Sequence, residues 1–391
     1  MTGLKIAIAG AGIGGLTAAI ALQQHGASVT VYEKAHELKE LGAGVVIGAN
    51  AERIYQRLGL RDELATIAGK ISGWTMQTRQ DEPLAGWQAP YPADHTYPLH
   101  RAQFQRLLFD ALPSGTVQLG RGIVGATENA DGVQIELADG SRARADLLVG
   151  ADGIHSVVQG LVGAKSAPVS EGIMAYRGLI PAERLAGIYD MRRMSMWVGP
   201  GQSFLTFPVS DGALLNVVAF VPTDLDVEES WSAPGDIATF AAAYDGWAPT
   251  VQRVISAMDS TFRWGIYDRE PLPSWSTDHM TLLGDSAHAV TPHLGQGANQ
   301  AVEDAITLAV LLEDAARVDI PERLRRYDAL RINRNRQVRD GAREAGLLYR
   351  SMDLAPGPQA ARIVEIYDGL HLNTYDAEQI AREARPAISV R

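Results

Sequence analysis

Cysteine is absent from all 391 residues. That excludes a disulfide framework, a thiol nucleophile, cysteine-ligated zinc and an iron–sulfur cluster. No apolar run approaches the roughly 18 residues that a membrane-spanning helix needs, so no membrane partner is expected. Positive charge is also in deficit: 35 Lys and Arg against 46 Asp and Glu give a formal charge of −11. This argues against nucleic acid as a partner, which calls for a basic face. The densest basic stretch, residues 323–339, is interrupted by acids and reads as the solvated face of a helix. The opening MTGLKIAIAG lacks a charged segment followed by an apolar core and a cleavage site, so a cytoplasmic protein is expected. What is present, 46% hydrophobic residues and 39 glycines, suits a folded chain of two or three structural units.

The first 33 residues read as a βαβ unit. LKIAIA (4–9) is a buried parallel strand, and Gly10-Ala-Gly-Ile-Gly-Gly15 follows it. Residues 16–25 have helical composition and stop at Gly26, and SVTVY (28–32) is a second strand ending at Glu33. In G-x-G-x-x-G, Gly10 permits the tight turn, Gly12 lets backbone approach a pyrophosphate, and Gly15 lets helix pack on strand. The helix N-terminus aims N–H groups at the phosphates. Glu33, 23 residues after Gly10, is placed to accept from a ribose hydroxyl. These residues predict a dinucleotide and fit NAD and FAD alike.

Beyond them the texture alternates. A Pro- and aromatic-rich stretch (73–97) leaves the first domain, and residues 101–112 return to helix. Asp131-Gly132 and Asp139-Gly140 mark hairpins. Residues 172–221 read as antiparallel strands, residues 236–258 as helix broken near Pro249, and residues 299–316, 321–339 and most of the last fifty as helical. The expected fold class is α/β with α+β elements. A Rossmann-like domain (1–72, 98–170 and 276–350) is interleaved with a β-sheet domain (73–97 and 171–275) and followed by a helical segment (351–391). Small-molecule sites favour such domain interfaces.

Two further segments carry chemistry. Gly150-Ala-Asp-Gly-Ile-His-Ser156 places Asp152 in a turn after a strand. Gly284-Asp285-Ser-Ala-His-Ala-Val-Thr-Pro-His-Leu-Gly-Gln-Gly297 puts a carboxylate at a strand end and then aims another helix N-terminus. Such a dipole stabilises negative charge on the pyrimidine end of a reduced flavin. In order and spacing, these three stretches resemble the single-component flavin-dependent aromatic hydroxylases with the p-hydroxybenzoate hydroxylase fold. LGAGVVIGAN, HRAQF, AYRGLI, TFPVSDGALLNVVAF and RWGIYDREPLPSW extend the resemblance over nearly the whole chain. Within the family, it is nearest to salicylate hydroxylases, 3-hydroxybenzoate 6-hydroxylases and 6-hydroxynicotinate 3-monooxygenases.

The resemblance implies tightly bound FAD, with NADH or NADPH as a transient co-substrate and O2 and a small aromatic acid as partners. It implies hydroxylation through a flavin hydroperoxide, with salicylate, converted to catechol and CO2, as the expected substrate. Cofactor contacts are expected from Gly10, Gly12, Ile13, Gly14, Gly15, Glu33, Lys34, Gly44, Val45, Arg101, Val124, Asp152 and Asp285, and from the turn Gly295, Gln296, Gly297, Ala298 and Asn299. Pro292 is expected at the reactive edge of the flavin, with His293 touching substrate and Tyr267 donating to it. Arg177 and Arg263 are cations for a carboxylate. Ser203 and Phe207 occupy strand positions where relatives acting on 3-hydroxybenzoate or 6-hydroxynicotinate present His and Tyr, which disfavours those substrates. The D-G-x-x-S segment departs from the family at Gln159, where an Arg is usual, so Asp152 is expected to lack that partner. His288 reads as structural. No metal is expected, and residues 360–385 offer a homodimer surface. Competing readings are oxygenation of a larger polyketide or isoprenoid, a flavin-binding protein without turnover, and a nicotinamide-dependent dehydrogenase.

Overall fold

The computed structural model describes residues 3–38, 43–89, 92–163, 165–223, 233–351 and 354–385. Five parallel strands form the first sheet, in the order Met280–Leu282, Leu147–Gly150, Lys5–Ala9, Ser28–Tyr32, Val117–Gln118. Their apolar runs are buried on both faces, as parallel strands require. The first helix, Ile13–Gln24, starts three residues earlier than the composition suggests, immediately after Gly12. Gly15 explains the tight fit: a Cβ there would lie 2.1 Å from the Gly10 carbonyl oxygen. A three-stranded antiparallel sheet (Ile123–Asn129, Gly132–Leu137, Arg142–Ala145) lies beside this domain, and both Asp-Gly hairpins turn within it.

The second sheet has seven strands in the order Ala233–Gly235, Thr261–Arg269, Pro168–Pro181, Leu214–Pro222, Gln202–Val209, Arg193–Gly199, Gly73–Thr78. All pairs are antiparallel except the last. Strand alternation divides its side chains. Trp197, Phe204, Leu215 and Val217 pack against the helices Ile237–Ala243 and Pro249–Ser256. Met194, Met196, Leu205, Phe207, Val218 and Phe220 face the cleft toward the first domain.

The basic stretch departs from its expected place. It lies in a 30-residue helix, Ile320–Tyr349, that packs along both domains. Arg331, Arg334 and Arg339 are buried rather than solvated. Arg331 pairs with Glu303 at 2.8 Å and Asp304 at 2.7 Å, and Arg339 with Asp268 at 3.0 Å. Two acids inside the otherwise apolar helix Gly297–Leu312 demand buried cations, and this helix supplies them. Two C-terminal helices follow. Pro356–Gly369 packs on the second half of the long helix, and Ala377–Ala384 packs on the parallel-sheet domain. No helix among the described residues is long and apolar enough to cross a membrane.

Candidate active site

One cavity of about 720 Å³ runs from the dinucleotide loop to the cleft between the two sheets. At its first end, the strand Lys5–Ala9 delivers Gly10 in a left-handed conformation (φ +100°), which only glycine adopts without strain. Nothing lies within 4 Å of where a Gly12 Cβ would stand, so the backbone there is open to the cavity. The helix N-terminus follows at Ile13, and Gly10, Gly12, Ile13 and Gly14 line the wall. Glu33 also lines it, accepting from the backbone N–H of Ala11 at 2.7 Å and of Ala35 at 2.8 Å. Lys34, Gly44, Val45, Arg101, Asp152 and Asp285 also line the cavity, with Gly44 against the Phe207 ring. Gly15 stands behind the wall, and Val124 lies outside it, 56% exposed, while its neighbour Ile123 lines it.

Asp152 does not need the missing arginine. Its carboxylate accepts from the Ser156 hydroxyl at 2.5 Å and from the backbone N–H groups of Val157 and Val158. Gln159 turns away and donates to the Ser286 carbonyl at 2.8 Å, tying this segment to the one after Asp285.

The turn Gly295, Gln296, Gly297, Ala298 and Asn299 enters the helix Gly297–Leu312 and brings a second helix N-terminus to the cavity wall. Its side chains brace the protein. Asn299 accepts from Gly48 N–H and donates to the carbonyls of Val46 and Gly295. Gln296 accepts from Asn50, which also donates to Glu303. Beneath them, Asp304 accepts from Gly284 N–H and from His288 at 2.5 Å, and pairs with Arg331. Burial alone would raise Asp304; His288 and Arg331 reverse that and hold it down to about 2. His288 is thus a structural residue of this turn, stacked beside Trp275.

The cleft end is mostly apolar. Pro292 and Tyr267 line it, as do Arg177 and Phe207. The Arg177 guanidinium lies 4.2 Å over the Trp264 ring and is buried. Burial, with repulsion from Arg101, pulls it down to about 9. Arg263 and Ser203 do not join it. Arg263 sits across from Tyr176 in the sheet with its Nε buried, and Ser203 lies opposite Phe220 at the buried end of its strand. Sequence reasoning passed over Trp74, Tyr349 and Tyr367, which close the far wall. The Tyr349 and Tyr367 hydroxyls lie 3.3 Å apart, and the Trp74 and Tyr367 rings meet edge to face.

His293 is turned away from where it was expected. Its side chain has no exposed surface, so the cavity meets its backbone. Nε2 donates to Glu171 at 2.9 Å, and the ring packs against Phe220 and Tyr349. Burial pushes the imidazole below the ordinary histidine range, against the pull of Glu171.

The residues fit FAD. An open glycine backbone and helix N-terminus suit a pyrophosphate, Glu33 a ribose, and the second helix N-terminus a flavin ring at the mouth of an apolar chamber. Such a site defines a flavoprotein that acts on a small molecule between two sheets. Residues 3–342 match the family described as FAD binding domain, and the chain belongs to it. A 3-amino-4-hydroxybenzoate 2-monooxygenase of Streptomyces platensis is 39% identical over 88% of this chain and 87% of its own. A solved salicylate hydroxylase substrate complex superposes with a TM-score of 0.87 at 30% identity, covering 99% of this chain and 100% of its own. Klebsiella pneumoniae HpxO, solved with FAD and uric acid, gives 0.80 at 30% identity over 98% and 96%. The protein is an FAD-dependent monooxygenase of the aromatic hydroxylase type.

Proposed function

We propose that the protein hydroxylates a small aromatic acid bearing a ring hydroxyl, consuming NADH or NADPH and O2. FAD, when bound, accepts hydride from the pyridine nucleotide and passes one oxygen atom of O2 to the ring, the other leaving as water. The chain holds FAD through Gly10, Gly12, Glu33, Arg101, Asp152, Asp285 and the 295–299 turn. Arg177 is the observation that carries the reading. Its guanidinium stands on the cavity wall over the Trp264 ring, where it offers a charge-assisted donor suited to a carboxylate. Phe207, Phe220, Met194, Met196 and Leu205 shield the ring from water, which would otherwise divert oxygen to hydrogen peroxide.

The substrate we favour over salicylate is an amino- or hydroxy-substituted 4-hydroxybenzoate such as 3-amino-4-hydroxybenzoate, the substrate in the name of the 39% identical relative. Salicylate satisfies its hydroxyl internally. A ring with its polar groups far from the carboxylate needs partners from the protein, and the chamber wall includes Tyr267, Tyr349 and Tyr367. The test is a flavin difference-spectrum titration of the holoenzyme with 3-amino-4-hydroxybenzoate, its carboxamide and salicylate. Tight binding of the first acid and loss of binding with the amide support the reading. Equal binding of acid and amide would overturn it.

A further inference from the structure

Among the described residues, one buried ionic cluster lies against the candidate site and has no part in the roles described above. It joins three elements. Glu171 comes from the strand Pro168–Pro181, at an irregularity between Ser170 and Met174 next to Gly172, whose φ is +66°. His293 comes from the turn Pro292–Leu294. Arg350 caps the end of the long helix, and its carbonyl accepts from Gly201 N–H of the substrate sheet. His293 Nε2 is 2.9 Å from Glu171, Arg350 is 3.3 Å from that same nitrogen, and Arg350 is 3.8 Å from the Glu171 carboxylate. The long helix makes room with Gly346, where a Cβ would stand 2.3 Å from His293 Cδ2.

A carboxylate only accepts, so the shorter contact, to Glu171, calls for a proton on Nε2. With Nε2–H given to the carboxylate, Nδ1 is an acceptor, and it is buried with no hydrogen-bond partner among the described residues. A buried acceptor left without a donor is costly, so the cluster must hold the ring firmly. The charged groups facing it are Glu171 from the strand and Arg343 and Arg350 from the helix. Arg343 is itself tied to Asp268.

We propose that Glu171 is a positioning residue that acts through His293: its carboxylate, with Arg350 3.8 Å away, accepts from Nε2–H and so seats the Pro292–Gly295 turn at the reactive edge of the flavin. This rests on the proposed hydroxylase reading for the place of that turn. The cluster thereby couples the substrate sheet and the long helix to the cofactor wall at a single imidazole. Loss of Glu171 would free the ring and loosen the turn, so that more of the NADH-derived electron pairs would reduce O2 to hydrogen peroxide instead of supporting attack on the substrate ring.

The test compares Glu171→Ala, Glu171→Gln and Gly346→Ala with the wild-type holoenzyme. Three quantities are read: the FAD dissociation constant by flavin fluorescence, product formed per NADH consumed, and the pH profile of kcat/KM. Glu171→Ala and Gly346→Ala are expected to weaken FAD about tenfold and to lower product per NADH several-fold. Glu171→Gln keeps an acceptor for Nε2–H and is expected to restore FAD affinity to within about twofold. Its acid limb should move to lower pH, because the imidazolium has lost its carboxylate partner. Wild-type FAD affinity, coupling and pH profile in all three variants would overturn the proposal. If Glu171→Ala does not fold, the other two variants decide it. If no aromatic acid is turned over, the hydroxylase reading fails on its own, and FAD affinity still decides the positioning role.

Discussion

The two ends of the cavity are built in opposite ways. The dinucleotide end is made by backbone: glycines open to the cavity, two helix N-termini, and side chains such as Asn299 and Gln296 spent on bracing. The cleft end is made by side chains from six strands of the second sheet, one turn, the end of the long helix and the helix Pro356–Gly369. A backbone site is general for one cofactor and tolerates few changes. A side-chain site is adjustable, which is how one fold supports different substrates. The braced end also contains the buried Asp304–His288–Arg331 cluster, so cofactor binding and folding stability share residues there.

That contrast can be broken or sharpened by substitution. The largest effect is expected at the backbone end. Gly15→Val places its Cβ 2.1 Å from the Gly10 carbonyl oxygen, and the purified protein should lose its flavin absorbance altogether. Retention of FAD would show that the loop is not held by close packing. Next is Arg331→Met, which leaves Glu303 and Asp304 buried without their cation and should cost about 3–5 kcal/mol, seen as a lower Tm and denaturant midpoint.

The pH dependence of the same cluster follows from Asp304. Its folded pKa is depressed from 3.8 to about 2, so its contribution is present above the unfolded value and is lost as pH falls from about 4 toward 2. Acid unfolding of the wild-type protein should therefore steepen in that window, and Asp304→Asn should flatten it. At the adjustable end, Arg177→Gln should raise KM for the aromatic acid by roughly 10- to 100-fold, with a smaller change in kcat and none in FAD affinity. The smallest effect is expected at Ser203, whose buried hydroxyl has no partner among the described residues: Ser203→Ala should leave Tm, KM and kcat within experimental error.

The same contrast explains what was legible in sequence. Gly10, Gly12 and Glu33 announce themselves because strand, turn, helix and acid are consecutive, and the cofactor contacts follow from short-range geometry. The cleft depends on pairs far apart. Glu171 and His293 are 122 residues apart, and Tyr349 and Tyr367 come from helices whose packing no local pattern announces. Side-chain direction was the second obstacle. Trp197 and Phe204 face the side of the sheet away from the cleft, whereas Leu205, two residues from Phe207 and so on its face, lines it. Arg331 was misread as solvated because its helix was judged alone. Glu303 and Asp304 within AVEDAITLAVLL were the available sign that a buried cation was needed. The substrate moved for a different reason: absence of a His and Tyr on the 203–209 strand pointed to salicylate, whereas the 39% identical relative carries the name of a different hydroxybenzoate.

The most direct measurement is the stoichiometry of NADH oxidation by the FAD-loaded protein with 3-amino-4-hydroxybenzoate and, separately, salicylate, with aromatic product and hydrogen peroxide quantified in the same reaction. The account predicts substrate-stimulated oxidation with about one hydroxylated product per NADH and little peroxide for the amino-hydroxy acid. Oxidation that yields peroxide alone with every aromatic acid, or none above the substrate-free rate, would contradict it.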